Sequence, residues 1–135
     1  MNFLFSIPLL LIIFITYNVI AFTSSSGLLV FSEELIHFTL VSGRRLSINL
    51  DTLLVLFGIV TLFLELLKST RTSVTTIVDH VLSTILFVAF LLQFLLVPEL
   101  GTQGFLLLAS LSLIDVIAGF TISISTAKRD FSIDR

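Results

Sequence analysis

The sequence predicts an all-α membrane protein, a bundle of four transmembrane helices with a short extracytoplasmic β-hairpin between the first and second helices, forming one integral membrane domain over residues 1–135. Three observations carry that prediction. Hydrophobic residues make up 56% of the chain and charged residues 12%, with a mean hydropathy of +1.19, so there are too few polar side chains to coat a water-soluble globule. Four apolar stretches approach the roughly 20 residues a helix needs to cross a hydrocarbon core about 30 Å thick. Between the first two, polar and apolar residues alternate with the period of two expected of a strand with one apolar face.

The first stretch, residues 3–22, contains Pro8, expected in the first turns of its helix, where a missing N–H costs little. A rival reading is a secretory signal, because Val19-Ile20-Ala21 offers small residues at a cleavage position. Only Met1 and Asn2 precede the run, with no Lys or Arg, and the run is long enough to span, which favours an uncleaved helix. The connection over residues 23–49 is read in two parts. Leu28, Phe31, Leu35 and Phe38 recur at helical spacing, whereas Phe38 and Leu40 before Ser42-Gly43, with Leu46, Ile48 and Leu50 after it, alternate as the two arms of a hairpin around a glycine turn. A helical piece over residues 28–36 leading into the hairpin satisfies both patterns. A two-stranded ribbon is marginal in water, so its apolar face is expected to rest on lipid or on a partner subunit.

The second stretch, residues 50–67, begins at Asp51, where a carboxylate favours the helix dipole and Asn49 can cap. It ends at Glu65 and Lys68, an i,i+3 ion pair whose lysine stem reaches the interface. The third and fourth stretches, residues 73–97 and 102–124, are joined by Pro98-Glu99-Leu100-Gly101 and must be antiparallel neighbours. Asn18 and Gln93 are amides at membrane depth, expected to hydrogen-bond between helices. Tyr17 is the only Tyr and Trp is absent, which leaves the usual interfacial aromatic belt weak.

Orientation follows from the seven basic residues. With four spans, Lys68, Arg71, Lys128, Arg129 and Arg135 fall on one side and only Arg44 and Arg45 on the other, so both termini are expected in the cytoplasm. Arg44 and Arg45 at the hairpin, and Lys128 and Arg129 beyond the fourth helix, are the candidate docking charges.

The candidate intramembrane polar cluster centres on Asp115. A carboxylate near the middle of the last apolar stretch is costly without a partner. Ser112, Asp115, Gly119, Ser123 and Thr126 follow at steps of three or four residues, so they share one helix face, which is expected to point into the bundle. Counting about 1.5 Å per residue back from the Pro98 turn, Asp115 comes level with Ser83 and Thr84, and Gly119 with His80. Asp79, His80 and Asp115 would then lie near one another, carboxylate, imidazole and carboxylate, a set suited to passing protons. The plainer reading is that Asp115 is packing glue between helices.

A net charge of −2 with no basic run excludes a nucleic-acid partner. Without Cys there is no thiolate ligand or cysteine nucleophile, and two His are too few for a histidine-rich metal centre. Phosphate-loop, zinc-protease and Gly-x-Ser-x-Gly signatures are missing as well. Asp79-His80 with Ser83 makes poor triad geometry, since adjacent helical residues point about 100° apart. No catalytic residue, cofactor or metal is expected, and the chain is not read as an enzyme.

The segments Leu62 to Thr72, Asp79-His80-Val81-Leu82-Ser83, Asp115 to Thr121 and Ala127-Lys128-Arg129-Asp130-Phe131 resemble a group of small four-span bacterial inner-membrane proteins. The likeness covers residue 46 to the C-terminus and implies a bacterial inner membrane, with no activity attached. Two functions are expected from the residues. The first is a structural, accessory or assembly subunit that meets a protein partner or its own copies through the membrane helices. The second is an oligomeric proton or small-solute carrier using Asp115 with His80 and Asp79.

Overall fold

Each apolar run contains a helix whose ends follow local signals, and a computed structural model describes them over residues 7–70 and 74–133. The expected residues 3–6, together with Arg71 and Arg135, lie outside the described residues. Helix α1, Leu10–Thr23, starts later than expected. Pro8 precedes it rather than lying inside it, and the Pro8 carbonyl accepts the Leu11 N–H at 3.0 Å to open the first turn. With 14 residues, α1 is about 21 Å long at 1.5 Å per residue, short of a hydrocarbon core.

A 3₁₀ turn over Gly27–Ser32 then folds back and buries Phe31 on the Tyr17 ring, with centroids 4.2 Å apart. The expected helical piece over residues 28–36 is therefore this turn, which ends at Ser32; Leu35 and Ile36 belong to a strand. Strands β1, Glu34–Thr39, and β2, Arg45–Asn49, pair antiparallel and form the expected hairpin. Gly43 sits in its turn at φ 80°, a conformation glycine adopts without a Cβ penalty. Ile36 faces Ile48 and Phe38 faces Leu46, so one face of the ribbon is apolar, as the alternation requires.

Near its root the hairpin is laced by charge. Glu34 takes Arg45 at 2.8 Å and His37 at 2.9 Å. The Arg45 guanidinium holds the Glu34 carboxyl below the usual carboxylate range. A carboxyl lowered in the folded state adds stability that is present above its ordinary pKa and is lost as pH falls through the lowered value. Acidification should therefore lower the protection factors of the β1 and β2 amides, measured against intrinsic exchange at the same pH, while the helices keep theirs. Glu34→Gln should abolish that pH dependence, and because the pair is exposed the effect should stay local.

Strand β2 passes directly into α2, Leu50–Lys68, where the Asn49 side chain caps by accepting the Thr52 N–H at 2.9 Å. Helix α3, Val74–Leu96, stops before Pro98; Val97 is extended, as a residue preceding proline prefers. Thr102 opens α4, Gln103–Ile133, with its hydroxyl accepting the Phe105 N–H at 3.0 Å. Helix α4 continues past the expected end at residue 124, so Lys128 and Arg129 ride on a helix rather than a tail.

Three helices are long and apolar enough to cross a membrane, over Leu50–Lys68, Ile77–Leu96 and Gln103–Arg129; α1 is apolar but shorter. Helix α4 packs along both α2 and α3, and α1 lies mainly against α2. Gly58 makes the α2–α4 contact close, since a Cβ there would stand 2.5 Å from a Leu108 methyl. The core comprises Leu10, Tyr17, Phe31, Leu54, Phe90, Leu100, Phe105 and Leu108. Outside it the usual distribution is reversed: Phe63, Ile85, Leu95 and Leu96 are 60–73% exposed, while Glu65, Asp79 and Asp115 are at most 4% exposed. Greasy outer faces around buried polar groups suit lipid as the solvent.

Candidate functional site

The buried polar groups fall into two clusters, one at each end of the bundle. At the end away from the hairpin, α2 supplies Glu65, Lys68 and Ser69, and α3 supplies Asp79. Lys68 Nζ lies 2.7 Å from Glu65 Oε1 and 3.0 Å from Asp79 Oδ1, and it donates to the Ile7 carbonyl at 3.3 Å. The approach to Oε1 is misaligned for a hydrogen bond, but at that distance the ion pair dominates the contact. Glu65 Oε2 accepts the Leu9 N–H at 2.9 Å, taking up a donor that the start of α1 cannot satisfy internally. The i,i+3 pair read from the sequence is present, yet Glu65 is 1% exposed and also ties the start of α1 to α2.

The next residue, His80, turns away from Asp79. Its Nε2 meets Ser123 Oγ at 2.6 Å, and its ring lies 4.9 Å from that of Phe120. Gly119 makes room for it, because a Cβ there would come within 2.8 Å of His80 Cε1. Asp115 lies beside Ser83, the residue placed level with it by counting from the Pro98 turn. Ser112 and Asp115 are 0% and 2% exposed, so the small, polar face of α4 does point inward; the Thr126 side chain lies outside the described residues. Asp79 pairs with Lys68 and His80 with Ser123, while Asp115 lies beside Ser83. They form a polar column rather than a hydrogen-bonded relay.

Above the column an aromatic layer closes the bundle. Phe90 lies 4.8 Å from Phe14 and 5.2 Å from Phe105, and Tyr17 lies 5.1 Å from Phe105, all measured between ring centroids.

The second cluster lies beyond that layer, at the hairpin end. Asp51 Oδ1 accepts the Tyr17 hydroxyl at 2.6 Å, and Oδ2 accepts the Gly104 N–H at 2.8 Å. Tyr17 also hydrogen-bonds Thr102. Asp51 was expected to serve the N-terminus of its own helix; it serves that of α4 as well and ties α1 to both. Sequence reading missed Tyr17 and Thr102 as partners. The one available signal was Thr102 two residues before Gly104, a capping hydroxyl next to a residue that permits close approach. An open cavity of about 280 Å³ lies alongside, lined by Phe31, Ser32, Asn49, Asp51, Thr102 and Gln103.

The candidate docking charges are scattered. Arg44 is exposed at the hairpin turn, Arg45 is paired with Glu34, and Lys128 and Arg129 are exposed on α4. Asn18 does not bridge helices; it donates to the Phe14 carbonyl of its own helix at 2.9 Å. Among the described residues no three His, Cys, Asp or Glu side chains converge as a metal-ion set. No family model, curated protein or solved structure matches the chain.

Proposed function

We propose that this chain is a four-span membrane protein that acts as a structural or accessory subunit in the assembly of a larger membrane complex. The observation that carries the reading is the use made of its buried charge. Glu65 and Asp51, at opposite ends of α2, both take partners from α1, namely Leu9 N–H and the Tyr17 hydroxyl. Removal of α1 as a secretory signal would take one partner from each carboxylate, leaving Glu65 with Lys68 and Asp51 with the Gly104 N–H, and so would weaken both ends of the bundle. Those contacts favour a retained α1, whose apolar run in the sequence, residues 3–22, has the length of a fourth crossing. Among the described residues the aromatic layer of Phe14, Tyr17, Phe90 and Phe105 lies between the two polar clusters, which favours a scaffold over a carrier. Purification in mild detergent should yield a stoichiometric complex with a second protein; a lone monomer would count heavily against the proposal.

In this reading both termini lie in the cytoplasm, which the distribution of basic residues over four spans favours, and the sequence resemblance favours a bacterial inner membrane. The absence of Cys makes this directly testable. In intact cells Ser42→Cys should react with a membrane-impermeant maleimide, whereas Lys128→Cys should react only after permeabilisation. Intact-mass measurement of the same samples should retain residues 1–22. Labelling of both positions from outside would overturn the four-span topology.

The column from Lys68 to Ser112 favours one second reading, an oligomeric proton or small-solute carrier in which neighbouring chains complete the path. It requires Asp115→Asn to abolish pH-driven flux in liposomes, and wild-type protein without flux under any gradient would sink it.

A further inference from the structure

We propose that Ser112, Asp115 and Ser83 form a binding site for one alkali cation of sodium's charge and hardness, held in the seam between α3 and α4. The proposal does not depend on the accessory-subunit reading. Asp115 is 2% exposed, and its contacts leave it short of positive charge. Ser83 lies beside it, and Oδ2 has no hydrogen-bond partner among the described residues. The nearest cationic side chain of the column, Lys68, is engaged by Glu65, Asp79 and the Ile7 carbonyl. A buried carboxylate in that position needs a counter-charge.

Ser112 supplies an independent observation. Serine and threonine hydroxyls on the exposed face of α4 bond back to the carbonyl four residues earlier: Ser110 to Leu106 at 2.9 Å, Thr121 to Ile117 at 2.7 Å and Ser125 to Thr121 at 2.9 Å. Such back-bonding is the default for a helical hydroxyl in an apolar setting. Ser112 is 0% exposed and does not do it; its Oγ has no partner among the described residues. Its lone pairs are free for the same seam as Asp115 Oδ2, one helical turn away on the same face.

The chemistry narrows the ligand. All three side chains offer oxygen, the donor that hard cations prefer over soft ones. One carboxylate balances a single positive charge and would leave a divalent ion undercompensated. Entry is from the Lys68 end, where that side chain is 22% exposed; Phe90 and Leu108, both 0% exposed, close the opposite side. Protons compete for the same carboxylate. The titratable and charged groups of the column that face Asp115 are Glu65 and Lys68 from α2 and Asp79 and His80 from α3; among the described residues α1 contributes none there.

The test is thermal unfolding of the full chain in mild detergent, with sodium chloride compared with choline chloride at equal ionic strength, in mild acid and in mild base. Sodium should raise Tm, and more so in base, where protons compete less. Ser112→Ala should raise the sodium concentration of half-maximal effect roughly tenfold or more, Asp115→Asn should remove the response, and Ser110→Ala should leave it unchanged. Should Asp115→Asn fail to fold, Ser112→Ala still decides. A Tm that follows pH identically in sodium and choline would overturn the proposal, since Asp115 would then hold only a proton. A sodium effect that survives both variants would overturn it equally, by placing the cation elsewhere.

Discussion

Gly104→Ala should destabilise the bundle by about 3 kcal/mol, although it adds a single methyl group in the first turn of a helix. The new Cβ would fall inside van der Waals contact of the Asp51 carboxylate, against Oδ1, Oδ2 and Cγ alike. The carboxylate would have to leave, and it is not a free surface group. It accepts the Gly104 N–H at 2.8 Å and the Tyr17 hydroxyl at 2.6 Å. Displacing it removes one of the two caps on α4, leaves the buried phenol with Thr102 alone and loosens α1 from α2 in one step. A hydrogen bond to a charged group contributes about 1.5–3 kcal/mol, and a stranded buried donor costs more than the bond it lost. Gly101→Ala is the control, since a Cβ there meets only the Pro98 carbonyl at 3.4 Å. Tyr17→Phe should fall between the two, because Asp51 then keeps its α4 donor. Equal midpoints for Gly104→Ala and Gly101→Ala in denaturant titration would show that Asp51 does not hold these helices.

Tyr17 and Asp51 also mark where the sequence stops being legible. Faces were readable because they are periodic. The step of three or four residues placed Ser112, Asp115 and Gly119 inside the bundle, and the step of two set Phe38 opposite Leu46. The Pro98 turn fixed depth as well, since an antiparallel hairpin with a short connection leaves little freedom in register; hence Asp115 and Ser83 could be paired by counting. Partners across long separations carry no such mark. Tyr17, Asp51 and Thr102 meet from three helices, and hydropathy gives the membership of each helix without its neighbours. Glu65 misled for a related reason. Its spacing from Lys68 explained it locally, so nothing in the pattern pointed to the Leu9 N–H or to burial. The start of α1 was misplaced because an apolar run does not show which of its residues are helical; Pro8, read as tolerated within the first turns, precedes the helix.

Lys68→Met should cost about 3–5 kcal/mol, the range for removing one partner of a buried ion pair, and the loss should arise from what is left behind. Methionine keeps most of the stem's length and bulk, so packing changes little. Glu65 then retains only the Leu9 N–H, and Asp79 loses the ammonium 3.0 Å from its Oδ1. Two carboxylates would face each other across α2 and α3 with repulsion where a shared cation had been. A double-mutant cycle separates this from lost packing. Adding Asp79→Asn to Lys68→Met removes one of the stranded charges and should recover part of the stability, although Asp79→Asn alone is destabilising because it leaves Lys68 with Glu65 as its only carboxylate. That reversal of sign is specific to a charge-balanced clasp. Strictly additive losses in the double variant would mean that Lys68 holds α2 to α3 through its aliphatic stem, and that the ion pairs at this end contribute little.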